Sequence, residues 1–203
     1  MSGLATDYFN QVQLMLLSLH SSLLTHQKAK DEIEVARQNN AGTLALFDGT
    51  ELDDQESARL DRTRMKLQAN ERALETYDVL INVAAGAILQ IAKQVMSMKN
   101  GPKIKDSPEG RAIAGTCTRD LIWHGRNQAM HYEDTVIVPR PNKQGPSTWV
   151  DLFQKLNVQY PNRFVMTPPY KSCAIDVLDE LGWTYSYSTL EQDMRSLIGV
   201  AAG

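Results

Sequence analysis

Two long proline-free runs constrain most of what this chain can fold into. Residues 4–38 contain neither proline nor glycine, and they carry Leu4, Phe9, Val12, Leu16, Leu19 and Leu23 at the spacing of one helix face. A long helix is expected there, stopped by Asn39-Asn40-Ala41-Gly42. A second is expected from about Asp54 to Met98, with Asp53 or Asp54 able to cap it and Asn100-Gly101-Pro102 able to stop it.

Charge runs in opposite senses along the two. The first is apolar, then charged (Lys28, Lys30, Asp31, Glu32, Glu34, Arg37). The second is charged first (Glu56, Arg59, Asp61, Arg62, Arg64, Lys66) and apolar from Val79 to Met96. An antiparallel hairpin matches like halves, each helix being about 50–65 Å long at 1.5 Å per residue. The apolar halves then meet in a body. The charged halves form a tip near residues 26–66, joined by the loop Ala41 to Leu52. Such runs are ordinarily a solvated face with i,i+4 ion pairs. The sharper expectation is an arm for a protein partner or inhibitor.

Beyond the hairpin, Ser107 as cap, Pro108 at the first helical position and Glu109 at the positive dipole end predict a third helix, running to about Asp134. Thr135 to Val138 suits a short strand or extended segment, and Asn142 to Pro146 a loop. Short helices are expected at Thr148 to Leu156, at Tyr170 to Leu181 with Gly182 ending it, and at Thr189 to Ile198 with Ser188 as cap. The fold class is therefore all-α: a helical bundle with a long antiparallel hairpin, a motif helix and short C-terminal helices. Residues 1–138 are read as the helical domain, and 139–203 as a short-helix extension packed on it. At 203 residues, 42% hydrophobic and 22% charged, the chain can bury a sizeable core. Trp149, Trp183, Tyr185 and Tyr187 are expected in the core or an interface rather than as base-stacking platforms.

The net charge of -3 does not mark a general polyanion binder. It is uneven, however. From Lys99 to Lys171 there are 11 Lys and Arg against 6 Asp and Glu, while Ser172 to Gly203 holds one Arg against five acids. A basic middle beside an acidic tail suits a phosphate site on an acidic scaffold. Cys117 and Cys173 are too isolated for a zinc site or a disulfide framework. The most apolar stretch, Val79 to Ile91, is interrupted by Asn82 and Gln90 and is too short to span a bilayer. No basic segment followed by an apolar one opens the sequence. A cytoplasmic protein with no membrane partner is expected.

The chemistry concentrates in Arg119-Asp-Leu-Ile-Trp-His-Gly-Arg-Asn-Gln-Ala-Met-His-Tyr-Glu-Asp134. On a helix, Asp120, His124, Asn127 and His131 form one stripe at steps of 4, 3 and 4. Such a stripe can be a solvated face, a buried polar network or a reaction centre. Trp123, Met130, Leu121 and Ile122 argue that much of this helix is buried. His124 and His131 lie about 10.5 Å apart along the axis, too far to share one metal ion unaided. No HExxH, GxxxxGK, GxGxxG or GxSxG is present. No cofactor is expected. The residue types do suit phosphodiester cleavage. An imidazole can move a proton from a ribose 2′-hydroxyl or to a leaving 5′-oxygen. A guanidinium can hold the phosphate, and an amide can orient either. With a 2′-hydroxyl as nucleophile, the substrate would be RNA and no metal would be needed.

Arg126-Asn127-Gln-Ala-Met-His131 resembles the Arg-x4-6-His motif of the HEPN superfamily, an all-helical set in which Asn often follows the Arg. The resemblance covers the motif helix and, loosely, the hairpin before it. It implies a metal-independent endoribonuclease, of a kind many of whose members are toxins or antiviral-defence effectors, with two motifs meeting across a homodimer. Arg126 would then polarise the scissile phosphate, Asn127 position it, and His131 serve as acid and base. Supporting candidates are His124 and Asp120, which share the stripe, and Arg119, which repeats the spacing with His124. Tyr132, directly after His131, is another, although the toxin subgroup with a tyrosine in its motif carries it one residue later, so this sequence departs from that pattern. Gly125 costs helix stability by about 1 kcal/mol relative to Ala, which a close backbone approach (by a second subunit, for example) or a kink would explain. The alternatives are a non-catalytic module binding nucleotide, nucleic acid or protein, and a structural protein whose stripe is a core network.

Overall fold

The computed structural model describes residues 2–50, 52–132, 148–165, 167–168 and 170–200. The fold is all-α. Six helices occur among the described residues: α1 (Ser2–Leu46), α2 (Asp54–Asn100), α3 (Thr118–His131), α4 (Thr148–Gln159), α5 (Ala174–Leu181) and α6 (Tyr187–Leu197). A 3-10 turn at Ile104–Asp106 and a two-stranded antiparallel hairpin, β1 (Ala112–Ile113) and β2 (Thr116–Cys117), separate α2 from α3. The expected extended segment Thr135 to Val138 and the loop Asn142 to Pro146 lie outside the described residues.

The chain packs as two compact units. One comprises Met1–Ser22 with Asn82–Gly203, the other Leu23–Ile81. In the first, α1 buries Ala5, Phe9, Val12 and Leu16, while α2 buries an almost continuous set from Ala84 to Met96. The buried stripe of α1 is shifted from the expected one. Leu4 is 66% exposed and its place is taken by Ala5, while Leu19 is half-buried beside a buried His20. His20 is tolerated there because its Nε2 lies 2.8 Å from the carbonyl oxygen of Trp183. The C-terminal helices complete this core with Trp149, Phe153, Phe164, Val177, Leu178, Leu181, Trp183, Leu190 and Met194. Of the four singled-out aromatics, Trp149 and Trp183 are buried, Tyr187 is half-buried and Tyr185 is exposed.

The second unit is the charged hairpin alone. Lys30 Nζ lies 2.5 Å from Asp78 Oδ1, and the rings of His26 and Tyr77 sit 5.8 Å apart, so the two helix segments lie side by side. Its charges also pair along single helices, Arg37 with Glu34 and Arg64 with Asp61.

Helix boundaries correct several expectations. The helix α1 does not stop at Asn39-Asn40-Ala41-Gly42 but continues to Leu46. None of those residues forbids helical backbone, and Thr43 donates its hydroxyl to the Asn39 carbonyl at 2.9 Å, one turn back. The joining loop is therefore shorter than Ala41 to Leu52. Helix α2 starts as expected at Asp54, and Asp53 caps it in a reciprocal capping box. Glu56 N–H donates to Asp53 Oδ1 at 2.7 Å, and Asp53 N–H to Glu56 Oε2 at 3.2 Å.

The third helix begins at Thr118 rather than after Ser107. Ser107 instead closes the 3-10 turn, its N–H donating to the Ile104 carbonyl. Ala114 and Gly115, both at positive φ, form a two-residue hairpin turn that no continuous helix could include. Thr118 anchors the helix start through its N–H and hydroxyl, both on the Arg111 carbonyl. Further along, α4 runs on to Gln159, α5 starts only at Ala174, and α6 is capped by Ser186 rather than Ser188. The Ser186 hydroxyl oxygen accepts from Thr189 N–H at 3.3 Å.

Candidate functional site

Helix α3 packs against α4 and α5 in the first unit. Its buried residues are Thr118, Leu121, Ile122, His124, Gly125 and Gln128. Gly125 answers a packing need within this chain. A Cβ there would lie 2.8 Å from Val177 Cγ1 and 3.3 Å from Leu89 Cδ1, so α5 and α2 both close on the bare backbone. Neither a second subunit nor a kink is required to explain it. Gln128 fixes the helix at the next turn. Its amide donates to the Lys171 carbonyl at 2.7 Å, and its carbonyl accepts from Cys173 N–H at 2.8 Å.

This packing sorts the polar stripe by burial. Asp120 is half-buried, His124 buried, Asn127 half-buried and His131 exposed. His124 Nδ1 has no hydrogen-bond partner among the described residues. Burial holds its pKa below the ordinary value, with Arg119 adding to the effect and Asp120 opposing it. His124 is thus held neutral inside the protein, poorly placed to meet a solvent-borne substrate. Arg119 is committed to structure: its Nε donates to Asp120 Oδ1 at 2.8 Å and its NH1 to the Ser107 carbonyl at 3.1 Å. The Arg119–His124 pair is therefore a less suitable copy of the motif than Arg126 and His131.

Arg126 differs from Arg119 in what it touches. Its Nε donates to Gln90 Oε1 at 2.5 Å and its NH1 to Asn127 Oδ1 at 3.2 Å. Both partners are neutral amides, and among the described residues no carboxylate pairs with this half-buried guanidinium. They orient the cation without cancelling its charge. Lys93 lies close by on α2. Its Nζ sits 4.6 Å from the centre of the Trp123 ring. Its pKa is lowered, first by burial and then by the charge of Arg126. Asn127 shares one helix face with the exposed His131 a turn later, and Tyr132 follows as the helix C-cap.

The remaining arginines of the basic middle show how selective this is. Arg111 is bound by Asp193 at 2.9 Å, and Arg163 by Asp176, Asp179 and Glu180 at 3.1–3.5 Å. Acids of the tail therefore compensate these two arginines of the basic middle. Lys93, Gln90 and Gln128 were not singled out by motif or stripe. The available signal was Gln90 itself, an amide interrupting the apolar run of α2.

Among the described residues, no three His, Cys, Asp or Glu side chains gather in a way that could hold a metal ion. One helix there, α2, is long and apolar enough to cross a membrane by length and composition, which revises the narrower Val79 to Ile91 estimate. In this fold 56% of that apolar window is buried inside the protein. No known protein family, characterised protein or solved structure matches the chain.

Proposed function

We propose that this protein is a metal-independent endoribonuclease centred on Arg126, Asn127 and His131. One observation carries the proposal: Arg126 is half-exposed and oriented by two neutral amides, with no carboxylate among the described residues to cancel its charge, on the helix that presents His131 at the surface. In the proposed reaction His131 accepts the proton of a ribose 2′-hydroxyl. The 2′-oxygen attacks phosphorus, the bond to the 5′-oxygen breaks, and that oxygen takes up the proton that His131 gives back. Arg126 stabilises the charge on the phosphate oxygens, and Asn127 holds Arg126 in place. The products are a 2′,3′-cyclic phosphate and a 5′-hydroxyl. The resemblance to the HEPN superfamily extends the proposal to a homodimer in which two such motifs share a cleft, and to a role as a toxin or defence effector.

The test is cleavage of single-stranded RNA in EDTA by wild type and His131→Ala. Loss of about 10²–10⁴-fold in the variant, with cyclic phosphate ends in the wild-type products, is expected for removal of an acid/base group. Equal cleavage by both, or none by wild type as monomer or dimer, would refute it. A non-catalytic module that binds RNA or nucleotide would use the same uncompensated cation. It predicts binding that is lost on Arg126→Ala while wild type leaves the RNA intact.

A further inference from the structure

Beside Arg126 the surface of the first unit opens into a groove of about 540 Å³, lined by Tyr8, Gln90, Lys93, Gln94, Ser97 and Met98. Its chemistry is that of an anion-binding track. One cation, Lys93, lies in the wall. Gln90 connects the wall to a second cation, Arg126. Gln94 and Tyr8 add an amide and a hydroxyl. The Tyr8 hydroxyl already donates to Gln94 Oε1 at 3.1 Å, which holds these side chains together, and the Ser97 hydroxyl oxygen is buried without a hydrogen-bond partner. Among the described residues no carboxylate lines the groove. Arg111, Arg119 and Arg163 each pair with acids, whereas Lys93 lies against the Trp123 ring.

We propose that this groove is a nucleic-acid subsite, in which Lys93 binds the phosphate next to the one held by Arg126. This rests on the assignment of RNA to the Arg126 site and extends it to a second helix. Lys93 lies close enough to Arg126 for that charge to lower its proton affinity, and a polyanion laid across both cations relieves the repulsion. A single anion such as sulfate would satisfy one cation. A strand with regularly spaced phosphates would satisfy both.

The probe is a fluorescent, fully 2′-O-methylated oligonucleotide, which lacks the nucleophile and so reports binding alone. Anisotropy titrations over a range of salt give the number of phosphates engaged, with a slope of about -0.7 per phosphate on a single strand. Lys93→Gln is expected to weaken binding about tenfold and to flatten the slope by one phosphate, and Lys93→Arg is expected to restore both. Gln94→Glu, at an exposed position where the acceptor for Tyr8 is kept, should weaken binding several-fold by placing a negative charge in the groove, and it guards against misfolding of the Lys93 variant. If Lys93→Gln and Gln94→Glu both bind with the wild-type affinity and slope, or if wild type does not bind the probe, the subsite is overturned. The two proposals separate cleanly. Lys93-dependent binding with natural RNA left uncut upholds the subsite and removes the nuclease. Cleavage of natural RNA with binding indifferent to Lys93 does the reverse.

Discussion

At the residue scale, the same type of side chain is put to different uses a few positions apart. Arg119 and Arg126 are seven residues apart on α3. The first is tied to Asp120 and Ser107, the second to amides that leave its charge available. Arg126→Ala is accordingly expected to lower RNA cleavage by about 10²–10³-fold, as for loss of one transition-state donor, with little change in thermal stability. Arg119→Ala should instead lower stability and leave the cleavage of folded protein largely unchanged. Steady-state rates beside a melting curve distinguish the two.

Gly125→Ala tests the packing on the same helix. Helix propensity favours the alanine by about 1 kcal/mol, but its Cβ would press on Val177 and Leu89. Overpacking of about 1–3 kcal/mol should win, and urea denaturation should show a net loss of stability. His124 adds a pH dependence. Its folded pKa is depressed, so below its unfolded value the unfolded chain takes up a proton that the folded one resists. Its contribution is therefore present above that value and lost as pH falls. Asp176 acts in the opposite sense. Burial raises its pKa to about 6 against the pull of Arg163, so the folded state binds the extra proton and stability is lost as pH rises from 3.8 through 6. Asp176→Asn should remove this loss. Unfolding midpoints of the variant relative to wild type should then rise between pH 4 and 7, and an unchanged difference would refute the linkage.

At the element scale, α1 shows how far weak stop signals can be overridden. Asn39-Asn40-Ala41-Gly42 has the composition of a helix end, yet helical backbone passes through it to Leu46. A Cβ on Gly42 would meet nothing within 4 Å. Gly42→Ala is therefore expected to strengthen this end of the helix by about 1 kcal/mol. Slower amide exchange over residues 38–46 is the readout, and faster exchange would show that the glycine serves some other purpose. The capping box at Asp53 and Glu56 was readable from sequence because cap and helix are three residues apart. The start of α3 was not. The Ser107-Pro108-Glu109 signal is local, but the hairpin that displaces the helix to Thr118 depends on the pairing of Ala112 with Cys117 and Ile113 with Thr116.

At the scale of the whole molecule, the two units are unequal in their means of support. Among the described residues, the Leu23–Ile81 unit buries only Leu23, Leu60 and Ile81 as apolar side chains, and its polar partners are exposed ion pairs of small net worth. The other unit holds the large aromatics and the apolar half of α2. Native-state hydrogen exchange should therefore show residues 30–75 opening at lower free energy than Ala84 to Met96 and α3. Equal protection across α2 would contradict this.

The sequence by itself determined that this protein would be helical, roughly where its long helices lie, and which short segment concentrates imidazole, guanidinium and amide side chains. Periodicity, the absence of proline and capping spacings are all properties of neighbours along the chain. Tertiary structure decided which members of that segment are usable. It closed α2 and α5 over Gly125 and buried His124. It spent Arg111 and Arg163 on acids of the tail, and brought Gln90 and Lys93 from α2 beside an uncompensated Arg126. Charge compensation and burial depend on residues distant in sequence, so they exist only once the chain has packed.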